Sequence, residues 1–216
     1  MTWIKICGIR TLEEARAVQQ AGAAAYGQVF APSPRRISPE DAARINRSIR
    51  GGILKVGVFV DEDLETVKRI ARECRLDIIQ LHGSEPREYL AELNYPVIKA
   101  FSVQRPIGPD DFHGWNAWAF LLDAHSPERR GGTGRAIAPD LLRSLVSFDN
   151  IILAGGLTPD NVGGAIRRYR PMGVDVSSGV EYPLGGKNPQ AINRFVREVR
   201  KACSKHPGPV RIAENR

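Results

Sequence analysis

NIILAGGLTPDNVGGAIRRYRPMGVDVSSG, residues 150–179, places two short apolar runs on either side of an amphipathic stretch. The runs are IIL at 151–153 and VDV at 174–176, and Thr158 followed by Pro159 is a typical helix start between them. A strand, a helix and a second strand within about 30 residues are typical of a βαβ unit, whose two strands are parallel. The stretch therefore predicts a parallel sheet covered by helices.

The same alternation repeats along the whole chain. Further strands are predicted at WIKICGI, AAYGQVF, LKVGVFV, DIIQLHG, PVIKAF and AFLLDA, which brings the number to eight. Helical patterns follow seven of the strands, and six of these patterns have start signals, at Thr11, Ser38, Asp63, Ser84, Thr158 and Asn188. The seventh pattern, APDLLRSLV at 138–146, is weaker. Two prolines and two glycines in the connection after the fifth strand, residues 102–118, predict a short or missing helix there.

Eight such units predict one α/β domain, a single (β/α)₈ TIM barrel. With 216 residues the units average about 27 residues, which is near the lower size limit of this fold. An open doubly wound sheet is the alternative, but no G-x-G-x-x-G follows the first strand. The barrel is expected over residues 1–203, and residues 204–216, which are polar and interrupted by prolines, are expected to be a mobile tail.

Composition and charge exclude several classes of protein. No apolar run reaches the roughly 18 residues of a membrane span, and the first strand leaves no room for a leader, so we expect a cytoplasmic protein without a membrane partner. Cys7, Cys74 and Cys203 lack the spacing of a zinc site or a disulfide framework, and the four histidines form no ligand pair, so no metal is expected. The net charge of +7 is spread along the chain, which favours an anionic small molecule over nucleic acid as partner.

Two strand ends carry candidate acid and base groups. Catalytic residues of (β/α)₈ barrels lie at the carboxyl ends of the strands, and the first strand ends in Cys7. Lys5 lies on the same face and could favour the thiolate, although an inert core thiol is the alternative. The sixth strand ends in Asp123, which is either a cap or a catalytic carboxylate.

Polar residues at two other strand ends could hold a substrate. The fourth strand carries Gln80 and His82 on one face, where a histidine is either a structural hydrogen-bonding group or an acid or base. Arg35 and Arg36 follow the second strand, and either could pair with a substrate carboxylate or simply be solvated.

Three loops of small residues are candidates for binding an anion. Gly155 and Gly156 follow the seventh strand, and Ser178 and Gly179 follow the eighth, where neighbouring barrel loops commonly bind phosphate through backbone N–H groups. The loop after the sixth strand is flanked by arginines and could fold over a ligand or merely be mobile. Its small residues are Gly131, Gly132, Thr133 and Gly134.

In this order, KICGIR, GVFV, QLHG, LLDA, GGTG, AGGL and DVSSGVE resemble the phosphoribosylanthranilate isomerase family of tryptophan biosynthesis. The match extends from Lys5 to about Phe195. The resemblance implies an Amadori rearrangement of a phosphosugar, N-(5'-phosphoribosyl)anthranilate, without cofactor or metal. It also implies a monomer or a homodimer.

The resemblance also implies roles for individual residues. Cys7 corresponds to the general base that removes the C2 proton, and Asp123 corresponds to the general acid that protonates the ring oxygen. Arg35 corresponds to the arginine that contacts the anthranilate group. The remaining implied substrate contacts are Gln80, His82, Gly131, Gly132, Thr133, Gly134, Gly155, Gly156, Asp175, Ser177, Ser178 and Gly179.

The chain departs from the family pattern at two places. Gln28 replaces a frequent aromatic residue after the glycine of the second strand, and GGTGRAIAP lacks the usual aromatic residue after GGTGK. Another phosphosugar isomerase is the first rival, but it would carry an aspartate where this chain has Cys7. A basic nucleic-acid-binding module is the second rival, and it would need basic and aromatic residues clustered on one face.

Overall fold

The predicted apolar strands pair in chain order and close on themselves. The computed structural model of the chain describes residues 2–124 and 149–204. Its strands are β1 Trp3–Cys7, β2 Ala25–Val29, β3 Leu54–Phe59, β4 Ile78–Leu81, β5 Val97–Val103, β6 Ala119–Ala124, β7 Ile151–Leu153 and β8 Gly173–Val176. All pair in parallel, and β8 returns to β1 with Lys5 opposite Asp175. The prediction of a closed (β/α)₈ barrel is therefore confirmed.

Helices follow the strands and pack around the barrel. The described helices are α1 Leu12–Ala21, α2 Pro39–Ser48, α3 Leu64–Glu73, α4 Glu88–Glu92, α5 Pro109–Phe112, α6 Val162–Tyr169 and α7 Pro189–Ser204. A 3₁₀ turn, Ser178–Val180, follows β8. The connection after β5 holds only the four residues of α5, which confirms the short helix predicted there. The helix predicted at 138–146 lies outside the described residues.

Side-chain caps fix four of the six predicted helix starts. Thr11 Oγ1 accepts a hydrogen bond from the N–H of Glu14 at 3.2 Å, and the Glu14 carboxylate accepts from the N–H of Thr11 at 3.3 Å. This reciprocal pair satisfies two N–H groups that the helix itself leaves unbonded. Ser38 and Asp63 cap α2 and α3, and Asn188 accepts N–H groups from the first turn of α7.

The other two predicted starts are wrong because a side chain bonds elsewhere. Ser84 does not cap α4, which begins at residue 88, because Glu85 turns inward to a buried ion pair with Lys99 at 2.7 Å. Thr158 does not cap α6, which begins at residue 162. Here Asn161 Oδ1 accepts the N–H of Thr158 at 2.8 Å and forms a turn before the helix.

Apolar side chains fill the barrel from its amino end. The interior cluster consists of Ala25, Val56, Ile78, Ile98, Ala100, Ala119, Leu121, Ile152 and Ala154. Trp3 and Trp118, near the amino ends of β1 and β6, meet edge to face with ring centroids 5.6 Å apart. Because this end is closed by apolar groups, the polar interior side chains collect towards the carboxyl ends of the strands, where barrel enzymes bind their substrates.

Gln28 lies in the layer between the barrel and α2. Asn46 Nδ2 donates hydrogen bonds to Gln28 Oε1 at 3.0 Å and to the carbonyl of Cys74 at 2.7 Å. The Tyr26 hydroxyl donates to Asn46 Oδ1 at 2.7 Å, and the three side chains are buried. At this departure from the family pattern, the side chain therefore packs against α2 and does not reach the barrel interior.

Candidate active site

Cys7 ends β1 with its thiol inside the barrel. Gly27 on β2 provides the space, because a Cβ there would lie 2.9 Å from Cys7 Sγ and 3.3 Å from Lys5 Cε. The chain then turns at Gly8, whose φ of +86° favours glycine. The N–H groups of Gly8 and Ile9 both donate to the Gly27 carbonyl at 2.9 Å. The Cys-Gly pair that ends the first strand thus holds a thiol in a fixed turn at the carboxyl end of the barrel.

Below the thiol lies a buried ion pair. Lys5 Nζ is 2.8 Å from Asp175 Oδ1, and the lysine side chain is completely buried. Burial alone would lower the pKa of Lys5, but the carboxylate of Asp175 and the neighbouring Cys7 outweigh burial and raise it. Lys5 is therefore an ammonium at neutral pH. Asp175 faces this ammonium, and its predicted substrate contact stays a prediction.

The pKa of the Cys7 thiol is raised above its ordinary value. Burial is the largest cause, and the negative charge of Asp175 adds to it. Lys5 and Lys187 lower the pKa, but they do not compensate for burial. Lys5 thus acts in the direction expected from the sequence, but burial has the larger effect on the pKa of Cys7.

Asp123 ends the described part of β6 beside a chain of hydrogen-bonding groups. His82 Nε2 is 3.5 Å from Asp123 Oδ2, and Gln80 Nε2 is 3.0 Å from His82 Nδ1. Because the Gln80 amide nitrogen can only donate, Nδ1 accepts and the proton of a neutral His82 lies on Nε2, towards Asp123. Gln80 is almost fully buried. Gln80 orients His82, and His82 presents a donor to one oxygen of the carboxylate.

Arg35 crosses the turn that follows Cys7. A Cβ on Gly8 would lie 2.6 Å from Arg35 Cδ, so the glycine leaves room for the arginine stem. The guanidinium makes a bidentate pair with Glu181, Nε to Oε1 at 2.7 Å and Nη2 to Oε2 at 2.8 Å. Arg36 is exposed. Of the two arginines that the sequence left open, Arg35 is the one beside the thiol.

The loops after β7 and β8 are in direct contact. Gly155 and Gly156 have positive φ values of 75° and 60°. A Cβ on Gly179 would lie 1.9 Å from the carbonyl oxygen of Leu157, so only glycine allows this approach. Ser178 begins the 3₁₀ turn, and the first N–H groups of such a turn have no partner within it. The four predicted phosphate contacts are thus brought to one place.

Two charged residues beside Cys7 were missed by the sequence analysis. Lys187 Nζ lies 2.6 Å from Glu181 Oε1 and donates to the carbonyl and hydroxyl oxygens of Ser177 at 3.2 Å. The Ser177 hydroxyl donates to the Cys7 carbonyl at 3.0 Å. Both missed residues follow DVSSG directly, in VEYPLGGK, and charges in a short glycine-rich loop after a barrel strand were the available signal.

Several predicted residues lie outside the part of the chain that the structure describes, and two further predictions concern a metal ion and a membrane. Gly131, Gly132, Thr133 and Gly134 fall outside the described residues, as do residues 205–216 of the predicted tail. The tail was predicted to begin at Ser204, but Ser204 is the last residue of α7. Within the described ranges, no group of three or more His, Cys, Asp or Glu side chains could hold a metal ion. Likewise, no helix in those ranges is long and apolar enough to cross a membrane.

The arrangement suits proton transfer on a small anion. A thiol on β1 and a carboxyl group on β6 lie at the same end of the barrel, on strands separated by β7 and β8. Arg35 contributes a cation, and the paired glycine loops offer backbone N–H groups for an anion.

The comparisons with known proteins agree with this chemistry. The family model described as N-(5'phosphoribosyl)anthranilate (PRA) isomerase matches residues 4–198. A relative named N-(5'-phosphoribosyl)anthranilate isomerase from Syntrophomonas wolfei is 51% identical over 94% of this chain and 100% of its own length.

Solved structures of the same family superpose on the barrel. Phosphoribosyl anthranilate isomerase from Thermus thermophilus matches with a TM-score of 0.84 and 37% identity over 93% of this chain and 99% of that one. A second structure, at TM-score 0.79 and 36% identity over 93% of this chain and 100% of that one, is a complex with reduced 1-(o-carboxyphenylamino)-1-deoxyribulose 5-phosphate. Because the family model spans most of the chain and the relatives match over nearly their full length, the chain belongs to the N-(5'-phosphoribosyl)anthranilate isomerase family.

Proposed function

We propose that Cys7 is the general base and Asp123 the general acid of the Amadori rearrangement of N-(5'-phosphoribosyl)anthranilate to 1-(2-carboxyphenylamino)-1-deoxyribulose 5-phosphate. The observation that carries the proposal is their position, since both groups lie at the carboxyl end of the barrel beside charged or hydrogen-bonding neighbours. This makes the chain an intramolecular oxidoreductase, and we expect it to act in the cytoplasm as a monomer or homodimer.

The acid acts first. Asp123 delivers a proton to the ring oxygen of the ribose, the bond from that oxygen to C1 breaks, and the nitrogen lone pair forms a C1=N⁺ Schiff base. His82 Nε2 lies 3.5 Å from Asp123 Oδ2, so the other carboxyl oxygen would carry the acidic proton. His82 is therefore a positioning residue.

The base acts on the neighbouring carbon. The Schiff-base cation acidifies the C2 hydrogen, and the Cys7 thiolate removes it while the C–H electrons form a C1=C2 bond and neutralise the nitrogen. The Cys7 thiol then returns a proton to C1, and the C2 hydroxyl gives up its proton to the Asp123 carboxylate, so that the enol becomes the ketone and both groups are restored. C1 is reduced and C2 is oxidised by the same electron pair, so the reaction needs no external oxidant or reductant.

The anionic groups of the substrate account for the rest of the site. The phosphate would bind the N–H groups of the paired loops at Gly155, Gly156, Ser178 and Gly179. The carboxylate of the anthranilate group would bind Arg35, whose stem lies over Gly8 beside the base.

The test of the proposed function is a fluorescence assay that follows the loss of phosphoribosylanthranilate across a range of pH. A deprotonated base and a protonated acid are required, and thiols ordinarily titrate above carboxylic acids. Because burial raises the pKa of Cys7, the thiolate fraction should keep rising with pH beyond the ordinary thiol pKa of about 8.5. No turnover at any pH would refute the function.

A substitution at the contact between the two loops tests the phosphate site. Gly179→Ala would press a methyl group against the Leu157 carbonyl and separate the loops, so we expect KM to rise about tenfold or more. Gly164→Ala is the matched control, because a Cβ there meets no atom within 4 Å and alanine favours the helix. The KM of both variants is measured by steady-state kinetics. A wild-type KM for Gly179→Ala would contradict the proposal that phosphate binds at these loops.

A further inference from the structure

Glu181 lies between two cations at the edge of the site. Its carboxylate accepts two hydrogen bonds from Arg35 and one from Lys187, at 2.6 to 2.8 Å. Burial would raise the pKa of Glu181, but these hydrogen bonds and charges outweigh it and lower the pKa to about 2. The residue is therefore a carboxylate throughout the working pH range. Burial lowers the pKa of Lys187, and the hydrogen bond and charge of Glu181 oppose that decrease by favouring the ammonium.

Within the described residues, one edge of the Arg35 guanidinium makes no hydrogen bond. Nε and Nη2 face Glu181, and no described residue accepts a hydrogen bond from Nη1. A guanidinium can bind a second carboxylate through such an edge.

The cluster is anchored to the scaffold rather than to the loop alone. The N–H of Lys187 donates to Glu14 Oε1 at 2.9 Å, and the other oxygen of the Glu14 carboxylate accepts the N–H of Thr11, the N-cap of α1. The Lys187 ammonium reaches Ser177, which holds the carbonyl of Cys7. Glu181 is thus fixed through Lys187 to α1, β8 and β1, and it can hold Arg35 in place before any ligand arrives.

We propose that Glu181 is a positioning residue that fixes Arg35 so that its Nη1 edge receives the carboxylate of the anthranilate group. This inference rests on the proposed function. An arginine side chain that is already immobile loses little conformational entropy on binding, which favours affinity. The negative charge of Glu181 does not repel the substrate appreciably, because Lys187 neutralises it at 2.6 Å.

The test separates the carboxylate from the rest of the ligand. Calorimetry would measure the Kd of reduced 1-(o-carboxyphenylamino)-1-deoxyribulose 5-phosphate and of the same compound without its carboxyl group. Glu181→Gln should raise the Kd of the carboxylated compound about threefold to tenfold, the cost of ordering one long side chain, and should leave the Kd of the other unchanged. A merely structural role would weaken both compounds equally.

A double-mutant cycle tests whether Glu181 acts through Arg35. Arg35→Lys keeps the charge but loses the planar fork, so adding Glu181→Gln to it should cause no further loss. Glu92→Gln, at an exposed ion pair on α4, is the matched control and should change neither Kd. Three results would each overturn this inference while leaving the proposed function intact. They are equal losses of affinity for both compounds, tighter binding by Glu181→Gln, and additive losses of affinity in the double-mutant cycle. A wild-type protein that binds neither compound would overturn the proposed function with it.

Discussion

Cys7→Ser is expected to lower kcat by about 10² to 10⁴-fold, or about 3 kcal/mol or more in the activation barrier. A serine hydroxyl is a far weaker base at neutral pH than a thiol, yet it fills nearly the same space against Gly27. Binding of the reduced product analogue should change little. The measurement is kcat beside the Kd of the analogue and the Tm of the folded variant.

The other two cysteines show what a structural role would look like. Cys74 is buried, its thiol donates to the carbonyl of Pro39 at 3.3 Å, and burial raises its pKa to about 11. Cys74→Ser should lower Tm and leave kcat per folded molecule unchanged. Cys203, which contacts the Thr2 hydroxyl and is partly exposed, should tolerate serine in both respects. If Cys7→Ser behaved like Cys74→Ser, the thiol would be a core residue and the proposed mechanism would fail.

The surroundings of Cys7 show why a buried thiol can still serve as a base. Burial works against the thiolate, whereas Lys5 beneath it and Lys187 beside it favour the thiolate. Both lysines are themselves buried, so their charges are weakly screened by water. The fold thus supplies positive charge that favours the thiolate before the substrate arrives, and the thiolate then removes the acidified C2 hydrogen of the Schiff base.

The fold could be predicted because its signals are local. Each strand is a short apolar run, and each helix start at Thr11, Ser38, Asp63 or Asn188 depends on residues within one turn of the chain. The start predicted at Ser84 fails for a reason that is not local, because Glu85 bonds to Lys99 on the next strand. Helix propensities and capping rules consider only neighbouring residues, so they cannot predict where a helix begins when tertiary contacts bind its capping residues.

The position of a candidate site residue was predictable where that residue lies at the end of a single predicted strand, as with Cys7 and Asp123. Contacts between strand ends were not predictable, because they join residues that are distant in sequence. Arg35 and Glu181 are 146 residues apart, and nothing near either one indicates its partner. The net direction of the Cys7 pKa could not be predicted for a related reason, since burial depends on the whole barrel and Lys5 is only one neighbour.

Asp123→Asn is the second substitution with a large expected effect. The amide keeps the shape of the side chain and can still accept the His82 proton, but it cannot deliver a proton to the ring oxygen. We expect kcat to fall by about 10² to 10⁴-fold, with little change in the Kd of the reduced product analogue.

The pH dependence of the residual activity then identifies the acid. Without the acid only the thiolate matters, so kcat/KM of Asp123→Asn should rise with pH, by up to about tenfold per unit, until it approaches the raised pKa of Cys7. A residual rate that stays flat with pH, or wild-type kcat in a folded Asp123→Asn protein, would show that the proton comes from another group.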